Sequence, residues 1–139
     1  MHALIGAGAN VQACDKWGYT PLHATASGGS PETLAALLAA SADPQAQDSY
    51  GYRPLHYAAW FGTVETIGLL LEAGAEVMAL DAYGETALHY AARFASAENV
   101  TKLLLAGADA QAVNSYGETP ETCIAHNPTR PKMPMDVPV

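Results

Sequence analysis

Charged residues are scarce in this 139-residue sequence, at 14%, and basic ones are scarcest: six Lys and Arg stand against 14 Asp and Glu, for a net charge of −8. Nucleic acids and anionic membranes are approached through clustered Lys and Arg, so both are poor partners, and a neutral or basic protein or peptide fits better. No apolar run reaches the length of a membrane span. Residues 1–8 are too short and lack the basic start of a signal peptide, which makes a cytoplasmic location the default, with the nucleus as the other candidate. Cysteine is rarer still: Cys14 and Cys123 have no adjacent His or basic residue to depress a thiol pKa, so both read as free, unreactive thiols. His126 follows Cys123 at ligand-like spacing, but two candidate ligands do not make a metal site. P-loop, dinucleotide, GxSxG and HExxH patterns are missing as well, so the sequence points to no catalytic residue, no metal and no cofactor.

What is present is a repeat. Residues 49–81, SYGYRPLHYAAWFGTVETIGLLLEAGAEVMALD, align without a gap on residues 16–48 and 82–114, 33 residues to either side. A fixed period of this length predicts a stacked array rather than a closed globule. Within each unit the local chemistry predicts two helices. Thr20 is a good N-cap and Pro21 follows it at the early position where a missing N–H costs nothing. Ser30, Thr63 and Ser96 repeat the capping role for a second helix, with Glu32, Glu65 and Glu98 in its positive first turn. Gly74 and Gly107 stand where that helix ends in a left-handed residue; Ser41 occupies the same place at a cost of about 1 kcal/mol. The small pairs Ala58-Ala59 and Ala91-Ala92 allow close helix contact, framed by Leu22, Leu55 and Leu88.

The motifs Thr20-Pro21-Leu22-His23, Arg53-Pro54-Leu55-His56 and Thr86-Ala87-Leu88-His89, with Gly62, Leu69-Leu70-Leu71 and Gly74-Ala75, resemble the ankyrin repeat over residues 4–127. The resemblance implies an all-α solenoid of stacked helix-turn-helix units joined by hairpin loops. It divides the chain into the second half of a truncated repeat (1–15), three full repeats (16–48, 49–81 and 82–114), a partial capping repeat (115–127) and a proline-rich tail (128–139). In the capping unit Glu121 and Thr122 replace Leu and His, giving a polar outer side. The opening half unit, headed by Leu4 and Ile5, reads either as a piece of a longer ankyrin protein or as a short N-terminus whose open end binds something; self-association through that end is expected. His23, His56 and His89 lie one per layer, about 8–10 Å apart, and cannot share a metal with bonds near 2 Å. The resemblance gives them a bond to the cap threonine and to loop backbone instead. Arg53 breaks that pattern in the middle unit, so His56 needs a different partner.

Two function classes follow: a non-catalytic module that presents a concave groove to a protein or peptide, or a regulatory or targeting segment of a larger enzyme or channel. In the family, variable surface positions flank the hairpin glycine and close the first helix. Trp17, Tyr50, Tyr83 and Tyr116 precede that glycine, Tyr19, Tyr52 and Glu85 follow it, and Trp60, Phe61, Arg93 and Phe94 fall at the helix-end pair. Nine of the eleven aromatics thus occupy positions that packing does not require to be aromatic. These eleven residues are the candidate partner-binding set. Stacking of the hairpin rings on one another is the competing reading for Trp17, Tyr50, Tyr83 and Tyr116.

Overall fold

The computed structural model describes residues 13–94 and 97–125, without the side chains of Phe94, Ile124 and Ala125. Seven helices occur among them: α1 Pro21–Ala26, α2 Pro31–Ala39, α3 Pro54–Phe61, α4 Val64–Glu72, α5 Ala87–Phe94, α6 Ala97–Leu105 and α7 Pro120–Ala125; no strand does. Most of the opening half unit, the Ala95-Ser96 junction, His126 and the proline-rich tail lie outside the described residues.

Helices start where the caps predict. Thr20 accepts from the His23 N–H ahead of α1, Ser30 from Thr33 N–H ahead of α2, and Thr63 from Thr66 N–H ahead of α4. Glu32, Glu65 and Glu98 sit in the first turns of α2, α4 and α6. Beyond those second helices Ser41, Gly74 and Gly107 hold φ at +72°, +98° and +102°.

The first helices α1, α3, α5 and α7 pack in one row, each on the next, and α2, α4 and α6 form a second row against it. Between the rows lie Leu22, Leu34, Leu37, Leu55, Ile67, Leu70, Leu88 and Leu103, with Ala58, Ala59, Ala91 and Ala92 fully covered. An all-α repeat solenoid is the result.

Hairpins tie the units together on the other side. In each, the Asx residue takes two backbone N–H groups on one oxygen: Asp15 from Trp17 and Tyr19, Asp48 from Tyr50 and Tyr52, Asp81 from Tyr83 and Glu85, Asn114 from Tyr116 and Glu118. One backbone bond then crosses to the preceding hairpin, from Ser49 N–H to Trp17 C=O (2.7 Å), Ala82 to Tyr50 (2.9 Å) and Ser115 to Tyr83 (2.9 Å). Gly51 holds φ at +77°, and a Cβ there would sit 2.8 Å from Ala82 N, so both the turn and the crossing demand glycine.

The three histidines fasten hairpins to helices. His23 Nδ1 accepts from the Thr20 backbone N–H (3.0 Å) and lies 2.8 Å from its hydroxyl, which leaves Nε2 to donate to Tyr52 C=O of the next unit (2.9 Å). His89 repeats this between Thr86 and Glu118 C=O. The different partner expected for His56 is not needed: Arg53 supplies its backbone N–H to Nδ1 (3.0 Å), and Nε2 reaches Ala79 and Glu85 carbonyls, both at 3.1 Å. Only the cap hydroxyl is lost, because the backbone of any residue can make the other bond.

Candidate binding site

Where the second, third and fourth hairpins meet the first helices, Tyr52, Trp60, Tyr83, Glu85, Tyr90, Arg93 and Tyr116 line a shallow recess of about 290 Å³. Its base is a stack of rings. Trp60 lies face to face with Phe61 and with Tyr90, at 4.8 Å between centroids in each case, and Tyr52 meets Trp60 and Tyr90 at 6.1 and 5.8 Å. At the rim Tyr83 and Tyr116 stack at 6.4 Å with 20° between their planes. Tyr116 is 67% exposed.

The polar wall is built around one guanidinium. Arg93 Nη2 donates to Glu85 Oε1 (2.6 Å), Glu118 Oε1 (3.3 Å) and Cys123 Sγ (3.1 Å), and Asn114 Nδ2 donates to the same two carboxylate oxygens at 3.0 and 3.1 Å. Burial pushes the Glu85 carboxyl up, yet the bonds it accepts from Arg93 and Asn114 leave it below its ordinary range. Burial pushes the Cys123 thiol up and Arg93 offsets only part of that, so the thiol is neutral. The donor atoms of Glu85, Glu118 and Cys123 lie within 4.8 Å of one another, a grouping that would suit a metal ion. Here the Arg93 guanidinium donates to all three and supplies the positive charge itself.

Tyrosine hydroxyls brace the hairpins beneath. Tyr57 donates to Asp48 Oδ2 (2.5 Å) and Tyr90 to Asp81 Oδ2. One period later Cys123 stands in the tyrosine column and has no hydroxyl to give, and the Asx residue is Asn114 rather than Asp. An amide there donates to Glu85 and Glu118, where a third carboxylate would repel them.

The family models match along the same stretch. One described as ankyrin repeats in three copies covers residues 1–81, and a second, ankyrin repeats in many copies, covers residues 70–120. The chain belongs to the ankyrin-repeat family. A comparison with curated proteins finds no match. Ankyrin repeats generally mediate protein–protein interaction, and the family is typically non-catalytic. No helix among the described residues is long and apolar enough to cross a membrane.

Of the eleven candidate residues, this ankyrin stack brings Tyr52, Trp60, Tyr83, Glu85, Arg93 and Tyr116 into one recess. Trp17 is exposed beneath Lys16 Nζ, 4.4 Å from its ring, and Tyr50 is exposed beside Tyr52. Tyr19 is half-buried, stacked on His23 and edge-on to Tyr57 at 5.5 Å each. Phe61 is exposed behind Trp60, and the Phe94 side chain is not described.

Two expectations need correction. Tyr52 and Trp60 are half-buried and packed on the core, so packing does call for rings at these positions. Cys123 has no basic neighbour in sequence but has Arg93 in space, 30 residues away. Sequence reasoning also set Tyr90 aside, although it lines the recess, and overlooked Asn114. The signal for both is the Asx-to-Tyr spacing of nine at Asp48/Tyr57 and Asp81/Tyr90, which becomes Asn114/Cys123 in the last unit.

Proposed function

We propose that this ankyrin stack is a non-catalytic binding module, acting in the cytoplasm or nucleus, that holds an extended peptide or protein segment against the aromatic recess. One observation carries the reading: half-buried Tyr83 and exposed Tyr116 stack beside the Arg93, Glu85 and Glu118 cluster on a rigid frame. Rings fixed in this way offer large contact area at little entropic cost. A basic ligand suits the surroundings, because 13 of the 14 acidic residues but four of the six basic ones lie within residues 13–125. A Lys or Arg side chain can lie over the tyrosine faces with its charge toward Glu118.

Selection of a displayed peptide library on the whole chain tests this. Basic sequences with apolar flanks should be enriched, and Tyr116→Ala should weaken them about tenfold, the loss of about 1.4 kcal/mol typical of one contact residue. Leu105→Ala, at a position 83% exposed on α6, should leave them unchanged. Peptides that bind the Tyr116→Ala variant as tightly as the native chain would move the binding surface elsewhere.

A further inference from the structure

Beyond the described residues the sequence carries one further feature. Residues 126–139, HNPTRPKMPMDVPV, place Pro128, Pro131 and Pro134 at intervals of three and carry Arg130 and Lys132, two of the six basic residues. Polyproline II has three residues per turn and rises about 3.1 Å per residue, so these prolines would form one edge with about 9 Å between neighbours. We propose that the recess is a docking site for this segment of the same chain, with its proline edge laid against the Tyr83 and Tyr116 rings. The proposal rests on the reading of the recess as a binding surface.

Three observations favour this occupant. Grooves lined by aromatic rings are the common receptor for polyproline II, because flat rings match the proline edge and the segment has little conformational entropy left to lose. Charge agrees, since Arg130 and Lys132, against the single Asp136, would face a body in which Glu118 is half-buried behind Arg93 and acids outnumber bases. Reach agrees as well. Cys123 Sγ lies 3.1 Å from Arg93 Nη2, and Arg93 lines the recess, so α7 ends two residues beyond a side chain that already touches the wall. Six extended residues from Ala125 to Pro131 span up to about 19 Å, ample for a recess of this size.

Docked in this way, the segment competes with any outside partner. A short tether gives an effective concentration of about 1 mM, so a contact with an intrinsic Kd near 0.1 mM would mask the recess about tenfold. The test compares the whole chain with a Pro131→Ser/Pro134→Ser variant by amide and indole NMR, and measures the selected peptides on both. The Trp60 indole and the Tyr83, Tyr116 and Glu118 amides should shift in the variant and return when a peptide of residues 127–139 is added. The selected peptides should bind the variant about tenfold tighter. Spectra unchanged at those residues would overturn the proposal, and shifts that vary with dilution would do so by assigning the segment to a second copy. Peptides that bind both proteins equally and are lost in Tyr116→Ala would keep the recess as a binding surface and remove the segment from it. Shifts that depend on the segment, with no peptide selected, would keep the docking and remove the outside partner.

Discussion

Ser41 holds φ at +72° in the place where Gly74 and Gly107 hold +98° and +102°, and it is the one described residue other than glycine with positive φ. A Cβ at Gly74 or Gly107 would meet nothing within 4 Å, so the cost at this loop is dihedral strain rather than collision. Ser41→Gly should therefore stabilise the chain by about 0.5–1 kcal/mol, the relief of strain less the extra freedom glycine gives the unfolded chain. Urea unfolding should show a higher midpoint with unchanged slope, and a lower midpoint would contradict it. His23 and His56 bear on pH. Burial holds both rings below the ordinary 6.5 despite the carbonyls they bond. Above 6.5 the rings are neutral folded or unfolded. Below it the unfolded chain binds protons that the buried rings refuse, and stability falls as pH drops toward their folded values. Glu85, held below 4.5, contributes stability above 4.5 that is lost at lower pH. Melts followed by circular dichroism should thus show a first decline just below 6.5 and a second below 4.5; a flat profile across the first window would mean the rings are protonated in place.

Elements differ in how well their ends are closed. Thr20 and Thr86 back the histidine that follows them, whereas Arg53 leaves α3 without a side-chain cap and keeps its own Nε buried with no hydrogen-bond partner. Arg53→Thr should stabilise by about 1 kcal/mol through the restored cap, despite losing contacts to Gln45 and the exposed Glu76. A fall in midpoint would show that those contacts outweigh the cap. Arg93 on α5 behaves in the opposite way. Removing it by Arg93→Met leaves Glu85, 4% exposed, without its countercharge and should cost about 3 kcal/mol. Adding Glu85→Leu should recover most of that, and a double-mutant cycle reads the difference. Caps, helix starts and the left-handed stops were legible in sequence because each is decided within about four residues. The Arg93 cluster was not, because its partners sit eight, 25 and 30 residues away and meet only when layers stack. Register in the repeat still carried a trace of it, in the change from Asp81 and Tyr90 to Asn114 and Cys123.

Across the molecule the described helices pack on those of their own and adjacent units, so stability is close to a sum over interfaces and a bound ligand acts on the interfaces it spans. Trp60 belongs to one such interface: its stack with Tyr90 joins α3 to α5. Trp60→Ala should cost about 2–3 kcal/mol, below the usual figure for a fully buried ring because Trp60 is half-buried. Tyr116→Ala, at the exposed rim, should change stability by under about 0.5 kcal/mol. Loss of binding in the first variant would therefore say little, whereas loss in the second reports the surface. The recess draws residues from the second, third and fourth units but none from the first. A ligand at a hundredfold excess over its Kd adds about 2.7 kcal/mol, and that gain should concentrate where the ligand bridges units. The crossing bonds of Ala82 and Ser115 lie between the bridged hairpins, and that of Ser49 lies outside them. Hydrogen exchange with a selected peptide bound should slow at Ala82 and Ser115 and stay unchanged at Ser49. Equal slowing at all three would indicate uniform stiffening of the stack, and slowing at Ser49 alone would place the ligand on the first hairpin, beside Trp17 and Tyr50.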